Sequence, residues 1–172
     1  MTAEPSALES NPLLQTAGLP RFDEINPEHV APAVRHCLAE AEQKLSEIEQ
    51  NAAPTWEGLL QPLEELDRPF EQAWGPVGHL LGVQNSPELR EAYEGILEEV
   101  VSFGLKAGQS KPIYETLVAI KNGDAWNLLS EPRQRIVEDK LLNAELAGVG
   151  LEGEDLKKFN DIARELSKLS TE

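Results

Sequence analysis

The sequence predicts an all-α fold, an antiparallel bundle of about six helices preceded by an extended amino-terminal arm. Three helix starts are marked by a capping residue followed by a proline and an acid in either order, at Asn26-Pro27-Glu28, Ser86-Pro87-Glu88 and Ser130-Glu131-Pro132. The cap satisfies free backbone N–H groups, proline needs no hydrogen bond in the first turn, and the acid faces the positive end of the helix. Between these starts, apolar residues recur every three or four positions, and no stretch alternates as a strand would.

Residues 1–25 are predicted to form the arm, and residues 26–172 the helical domain. The arm has no sustained apolar period and contains Pro5, Pro12, Gly18 and Pro20, so we expect it to be extended and partly disordered at its start. Its candidate anchors on the helices are Leu13, Leu14, Leu19, Phe22 and Ile25. The helix that follows should end near Asn51. Its inward face should carry Val30, Val34, Cys37, Ala41, Leu45 and Ile48.

The next helix is predicted to be kinked. Thr55 is its cap, and a heptad-like apolar seam runs from Trp56 to Leu80. Pro62, Pro69 and Gly75-Pro76 interrupt the seam, and an interior proline removes a backbone hydrogen bond. We therefore expect a helix to about Trp74 and then a short helical turn at residues 79–83.

Two further helices are expected before the final pair. The first follows Ser86 and carries an apolar stripe from Leu89 to Ala107, and the second covers residues 111–121. The inward residues of the second are Ile113, Leu117 and Ile120. Asn122-Gly123-Asp124 predicts a turn. After it, Trp126, Leu128 and Leu129 are expected to plug the bundle.

The last segment predicts two helices joined by a short glycine turn. Ser130 opens the first helix with its hydroxyl as cap, Gly148 and Gly150 end it, and Glu154 and Asp155 begin the second. The first apolar stripe comprises Val137, Leu141, Ala144 and Ala147, and the second Leu156, Phe159, Ile162, Ala163, Leu166 and Leu169. Because the connection is short, we expect an antiparallel helical hairpin. No glycine or proline follows Leu169, which favours a piece of a longer polypeptide.

Composition and charge exclude several function classes. The net charge is −16, so neither nucleic acid nor an anionic membrane surface is an expected partner. There is no signal peptide and no apolar run long enough to cross a bilayer, so we expect a cytoplasmic location. The single cysteine, Cys37, cannot form a disulfide within the chain and is interpreted as a small buried hydrophobe.

The sequence contains no recognisable catalytic, cofactor-binding or metal-binding residues. The three histidines, His29, His36 and His79, do not form the H-E-x-x-H pattern of zinc peptidases. His29, His36 and Glu40 fall near one helical face, but two histidines two turns apart cannot grip one ion without further ligands. His36 with Glu40 is more simply a surface ion pair. The three tryptophans, Trp56, Trp74 and Trp126, lie beside leucines at helical spacing and are interpreted as core residues.

Three long stretches resemble, in order, the amino-terminal part of the thimet oligopeptidase family of zinc metallopeptidases. They are NPLLQTAGLPRFDEINPEHVAPAVRHCL (11–38), TWEGLLQPLEELDRPFEQAWGPVGHLLGVQNSPELREAYEGILEEV (55–100) and IVEDKLLNAELAGVGLEGEDLKKFNDIARELSKLS (136–170). The resemblance implies a peptidase parent that hydrolyses short peptides. In it these helices would form one wall of the channel that admits substrates. It also implies zinc in a catalytic domain that this chain lacks, so no site residue carries over.

Two other interpretations stay open on the residues alone. The chain could be a free-standing acidic helical adaptor, or a helical-bundle metal protein that uses His29 and His36. If it is instead the wall of a peptidase, apolar surface should be exposed where the catalytic domain docks. The candidates are Leu166 and Leu169 in the last helix and Leu13 and Leu14 in the arm. We then expect weak self-association of the chain through these residues.

Overall fold

A computed structural model describes residues 8–15, 17–124 and 126–171. These residues contain six α-helices and no strand, so the all-α prediction is confirmed. The helices are α1 (Pro27–Asn51), α2 (Gln61–Val83), α3 (Pro87–Gly108), α4 (Lys111–Asn122), α5 (Glu131–Leu146) and α6 (Gly153–Leu169). A π-helical turn at Trp56–Leu60 leads directly into α2.

The helix starts lie where the capping signals predicted them, although one cap differs in detail. The Ser86 hydroxyl accepts a hydrogen bond from the Leu89 N–H at 3.1 Å, and the Thr55 hydroxyl accepts one from Gly58 at 3.0 Å. At α5, Ser130 holds the capping position, but its side chain makes no capping hydrogen bond. Its carbonyl instead accepts the first helical bond, from the Gln134 N–H. The predicted hydroxyl cap at Ser130 is therefore wrong, while the predicted helix start is right.

Helix α1 is the central helix, and it connects two clusters of buried side chains. Its predicted inward residues are all buried: Val30, Val34, Cys37, Ala41, Leu45 and Ile48. The first half of α1 packs with α3 and the second half of α2, and the other half packs with the π-helical turn, α4 and α5. Half-buried Phe103 of α3 contacts both clusters. The core thus consists of two clusters that α1 connects.

Helix α2 runs without a break through Pro69 and Pro76, which contradicts the predicted interruption near Trp74. Pro62, Pro69 and Pro76 are seven residues apart, so their lost hydrogen bonds fall on one side of the helix. Around the last of them, Ala73 and Val77 are fully buried against α1 and α3. The packing of this face outweighs the missing hydrogen bonds and holds the helix together.

The described part of the arm is fixed to the bundle by a short 3₁₀ turn at Pro12–Leu14. Asn11 is buried, and its side chain donates to the His29 carbonyl at 2.9 Å and accepts from the Leu13 N–H at 3.0 Å. Among the predicted anchors, Leu13 is buried and Leu14 and Ile25 are half-buried in the same cluster. Leu19 is 89% exposed and is no anchor. The disorder predicted for the start of the arm falls on residues 1–7, outside the described residues.

Helix α4 and the segment after it close the second lobe. Ile113, Leu117 and Ile120 are buried, as their spacing predicts. Half-buried Trp126 and Leu129 pack against the same cluster, whereas Leu128 is 86% exposed and plugs nothing. The chain forms a 3₁₀ turn at Trp126–Leu128, and Leu128 faces away from the cluster that Trp126 and Leu129 contact.

The last two helices do not form the predicted hairpin. Helix α5 packs on α4, and α6 packs on α3, while direct contacts between α5 and α6 are few. Two glycines here are in the left-handed region: Gly148 in the connection, at φ +88°, and Gly153 at the first position of α6, at φ +55°. The chain changes direction at these glycines, and α5 and α6 therefore pack against different helices. A short connection therefore did not guarantee that the two helices pack together.

Candidate interaction surface

The described residues bring together no group of three or more His, Cys, Asp or Glu side chains that could hold a metal ion. His36 Nε2 lies 3.6 Å from Glu40 Oε1, in the exposed pair that the spacing predicted. His29 has a different role: its Nδ1 accepts a hydrogen bond from the Asn26 N–H at 3.0 Å. His36 therefore belongs to a surface ion pair of α1, and His29 caps the start of that helix.

Cys37 is a buried side chain of α1, as predicted. It is 4% exposed, and its Sγ lies 3.7 Å from the Pro69 carbonyl oxygen of α2. Burial raises the pKa of its thiol to about 11, and the nearby Glu40 carboxylate adds to the effect. Because the thiolate is the reactive form, Cys37 is a poor nucleophile at neutral pH.

The tryptophans lie at the edges of the core. Trp74 stacks on Tyr93 with ring centroids 4.4 Å apart and planes inclined by 11°. The Arg133 guanidinium lies 4.6 Å from the centre of the Trp56 ring, a cation–π contact between α5 and the π-helical turn. All three tryptophans are half-buried and pack against the two core clusters, which agrees with their interpretation as core residues.

The most exposed apolar feature of the last helix is a row on its outer face, formed by Ile162, Leu166 and Leu169. The three side chains are 47%, 61% and 55% exposed. Their spacing of four and three residues places them on one side of α6. We call these residues the outer row. Exposure of Leu166 and Leu169 was predicted and is confirmed. The same prediction is wrong for Leu13 and Leu14, because the arm turn packs against α1 and α2 and leaves Leu13 buried and Leu14 half-buried.

None of the residues of α6 is buried, although Leu156, Phe159 and Ala163 are half-buried, and several polar contacts also connect this helix to the bundle. Gln109, just after α3, donates from Nε2 to Asn160 Oδ1 at 2.7 Å and to the Ala147 carbonyl at 2.9 Å. Near the other end, Lys168 lies 3.6 Å from Glu98, and Arg90 donates to the Thr171 carbonyl at 2.9 Å. The contacts of Lys168 and Arg90 are exposed and therefore contribute little stability. Among the six helices described, α6 alone has no buried residue.

Helix α5 carries two more exposed leucines that sequence reasoning missed. Leu142 is 53% exposed and Leu146 is 67% exposed. They are four residues apart and therefore lie on one side of α5, opposite the stripe through Val137 and Leu141. The signal was present in the sequence, since α5 has apolar residues on more than one face.

A cleft of about 310 Å³ lies between α2 and α5. Its apolar lining includes Leu63, Leu66 and Leu117, and the charged residues that line it are Asp67 of α2 and Lys140 of α5. Partial desolvation raises the pKa of the Asp67 carboxyl, an effect that Lys140 opposes and Glu71 reinforces. Sequence alone could not reveal the cleft, because it depends on the distance between two helices that are remote in the chain.

Comparison with known proteins assigns the family. A sequence profile described as "Neurolysin/Thimet oligopeptidase, N-terminal domain" matches residues 34–156, which cover most of the helical bundle. The chain belongs to this family. The resemblance inferred from three separate stretches of sequence is thereby confirmed.

Several oligopeptidases A are similar to nearly the whole chain. The probable cytosolic oligopeptidase A of Arabidopsis thaliana is 43% identical over 98% of this chain, and the organellar, chloroplastic/mitochondrial oligopeptidase A of the same plant is 44% identical over 95%. The oligopeptidase A of Escherichia coli strain K12 is 38% identical over 95%. The matched region is 24%, 21% and 24% of these relatives, so the chain spans about a quarter of their length.

Membrane insertion of a helix finds no support in the structure. Within residues 8–15, 17–124 and 126–171, none of the helices is both long enough and apolar enough to span a bilayer. The exposed apolar residues of α5 and α6 are short rows on otherwise charged helices.

Proposed function

We propose that this chain is the helical amino-terminal part of an oligopeptidase that hydrolyses short peptides, and that it shapes access to a catalytic part located elsewhere in the parent polypeptide. In this proposal, residues 26–172 form the helical wall and residues 1–25 the arm. The observation that carries it is the family membership of a chain that matches only about a quarter of its oligopeptidase relatives.

The proposal assigns zinc to the catalytic part. The described residues do not fit the ion, since no three candidate ligands converge. Structural and catalytic zinc sites need at least three protein ligands. No step of peptide hydrolysis is therefore assigned to a residue of this chain.

The outer row of α6 is the proposed contact with the catalytic part. Its three apolar side chains are about half exposed or more, and α6 contributes nothing buried to its own bundle. Burying a leucine that was exposed stabilises a contact by roughly 1.5–3 kcal/mol. A partner surface that covers the row would thus add to the stability of α6.

The test compares one pair of substitutions in two settings. In this chain, Leu166→Gln with Leu169→Gln should leave the melting temperature nearly unchanged, because both side chains are already exposed. In the full-length parent, the same pair should lower hydrolysis of a quenched fluorescent peptide and increase cleavage by an added protease. Glu165→Gln is the matched control on the same helix and should change neither property. Full activity and protease resistance of the doubly substituted parent would overturn the assignment of the outer row.

The inactivity of this chain by itself is a separate expectation. Incubated with zinc and the same quenched peptide, the chain should show no hydrolysis above background. Measurable hydrolysis that a chelator abolishes would contradict the proposal. Weak self-association is also expected, and sedimentation velocity at rising concentration should detect it and should show its loss in the Leu166→Gln, Leu169→Gln variant.

The compartment belongs to the proposal as well. Of the two plant relatives, one is named cytosolic and the other organellar, so the family occupies more than one compartment. We place this protein in the cytoplasm. Fractionation of the native source with an antibody against the chain should recover it in the cytosolic fraction, and recovery in organelles would contradict this location.

A further inference from the structure

The cleft between α2 and α5 has the composition of a small-molecule site. The two helices make few direct contacts with each other, and Leu117 of α4 and Leu45 of α1 also line the gap between them. Its volume of about 310 Å³ lies within the range of ligand pockets, which are lined mainly by apolar side chains with a few polar groups. The lining has this character, since Leu63 and Leu66 of α2 add to the apolar surface.

Two opposite charges line the cleft, one from each wall. Asp67 and Lys140 interact electrostatically, yet within the described part of the chain neither makes a direct ion pair or hydrogen bond. Other acidic and basic side chains do form direct ion pairs, as Arg35 and Glu99 do at 2.8 Å. The cleft therefore offers a carboxylate and an ammonium group that are not paired with each other, beside apolar surface.

We propose that this cleft binds a small zwitterion with an apolar body, an apolar amino acid or dipeptide. Its ammonium group pairs with Asp67, its carboxylate pairs with Lys140, and its side chain fills the leucine-lined gap. The charge arrangement selects a ligand that carries both charges, because a simple acid or a simple amine would leave one of the two groups unmatched. The inference rests on the cleft and its charges, and it stands whether or not the proposed peptidase parent is correct.

The test is a titration followed by NMR of the chain with labelled leucine methyl groups. The probes are L-leucine and L-leucyl-L-leucine, and the response of each shows which length the cleft prefers. The methyl signals of Leu63 and Leu66 should shift and saturate, while those of Leu166 and Leu169 on α6 should not move. N-acetyl-leucyl-leucine amide lacks both charges and should bind about tenfold more weakly than the free dipeptide.

Matched variants locate the ligand. Asp67→Asn and Lys140→Met should each weaken binding about tenfold. Ala144→Leu, which adds a side chain to the wall of the cleft, should abolish it. Asp139→Asn and Lys158→Met remove the same charges from exposed positions outside the cleft and should bind like the unaltered chain. Circular dichroism establishes that each variant is folded.

Three results would overturn the proposal. The first is the absence of any saturable shift at Leu63 and Leu66 with either free ligand. The second is equal binding of the neutral dipeptide derivative, which needs no variant and so does not depend on how a variant folds. The third is unchanged binding by folded Asp67→Asn and Lys140→Met.

Discussion

Replacement of Gly148 by alanine tests how the chain turns from α5 towards α6. Gly148 has φ +88°, a backbone conformation that an L-residue adopts at a cost of roughly 1–2 kcal/mol. A Cβ atom built there would lie 3.0 Å from Leu151 Cδ1 and 3.6 Å from Phe159 Cδ1, so Leu151 must also shift. We expect Gly148→Ala to lower the free energy of unfolding by about 1–2 kcal/mol or slightly more.

Two neighbouring glycines separate the backbone cost from the contact cost. Gly153 has φ +55° but no atom within 4 Å of a built Cβ, so alanine there should cost only the backbone term, about 1 kcal/mol. Gly150 lies outside the left-handed region and also has open space around it. Gly150→Ala should leave stability within about 0.5 kcal/mol or raise it slightly, because alanine restricts the unfolded chain.

The assay is urea unfolding followed by circular dichroism at 222 nm, the helix band, with the slope compared among variants. Equal slopes would show that differences in midpoint reflect stability and not a change in the unfolded state. The expected order of destabilisation is Gly148→Ala, then Gly153→Ala, then Gly150→Ala. If Gly148→Ala is as stable as Gly150→Ala, the backbone angle does not determine the turn and the reasoning fails.

Three further outcomes follow from burial and charge. Leu117→Ala should cost about 2–5 kcal/mol in urea unfolding, whereas exposed Leu146→Ala should change stability by less than about 0.5 kcal/mol; similar costs would contradict the assigned core. Cys37 should react with a disulfide reagent at neutral pH far more slowly in the folded chain than in denaturant, since its pKa is raised to about 11; fast reaction of the folded chain would refute its burial. The raised pKa of Asp67 means that its ionised form disfavours folding, so Asp67→Asn should be the more stable protein at pH 7. That advantage should shrink as the pH falls towards 3.8, the ordinary value of the carboxyl, and an advantage that grows in acid would have the wrong sign.

Local signals in the sequence were sufficient to predict most of the helix starts and buried faces. The start at Ser86 depends on residues within one turn, and the buried face of α1 follows from a spacing of three and four. Both are properties of a short stretch of chain. The structure therefore agrees with the sequence at these points.

Predictions that depended on remote packing were less successful. The break expected at Pro76 does not occur, because burial of Ala73 and Val77 outweighs a lost hydrogen bond. Leu128 has the same apolar character as Leu129 but is exposed, since a single 3₁₀ turn decides which of them faces the bundle. Neither the continuity of α2 nor the exposure of Leu128 can be predicted from the residue types alone.

The candidate site was predictable only in part. Exposure of Leu166 follows from a stripe wider than one neighbouring helix can cover, and the resemblance to a family supplied a reason for it. The cleft beside Asp67 and Lys140 was not predictable, because the residues come from helices more than 70 positions apart in the chain. Residues of α1, α3 and α4 also line it.

The absence of buried side chains in α6 has a consequence for how this region exchanges amide hydrogens. A helix with no buried residue opens locally at a lower free energy than the one that unfolds the whole bundle. Its amides should therefore exchange in advance of those in α1. A surface that covers Ile162, Leu166 and Leu169 would slow that exchange, and a covalently connected one acts at an effective concentration of about a millimolar. The folding of the last helix and the binding of a surface to its outer row are thus coupled.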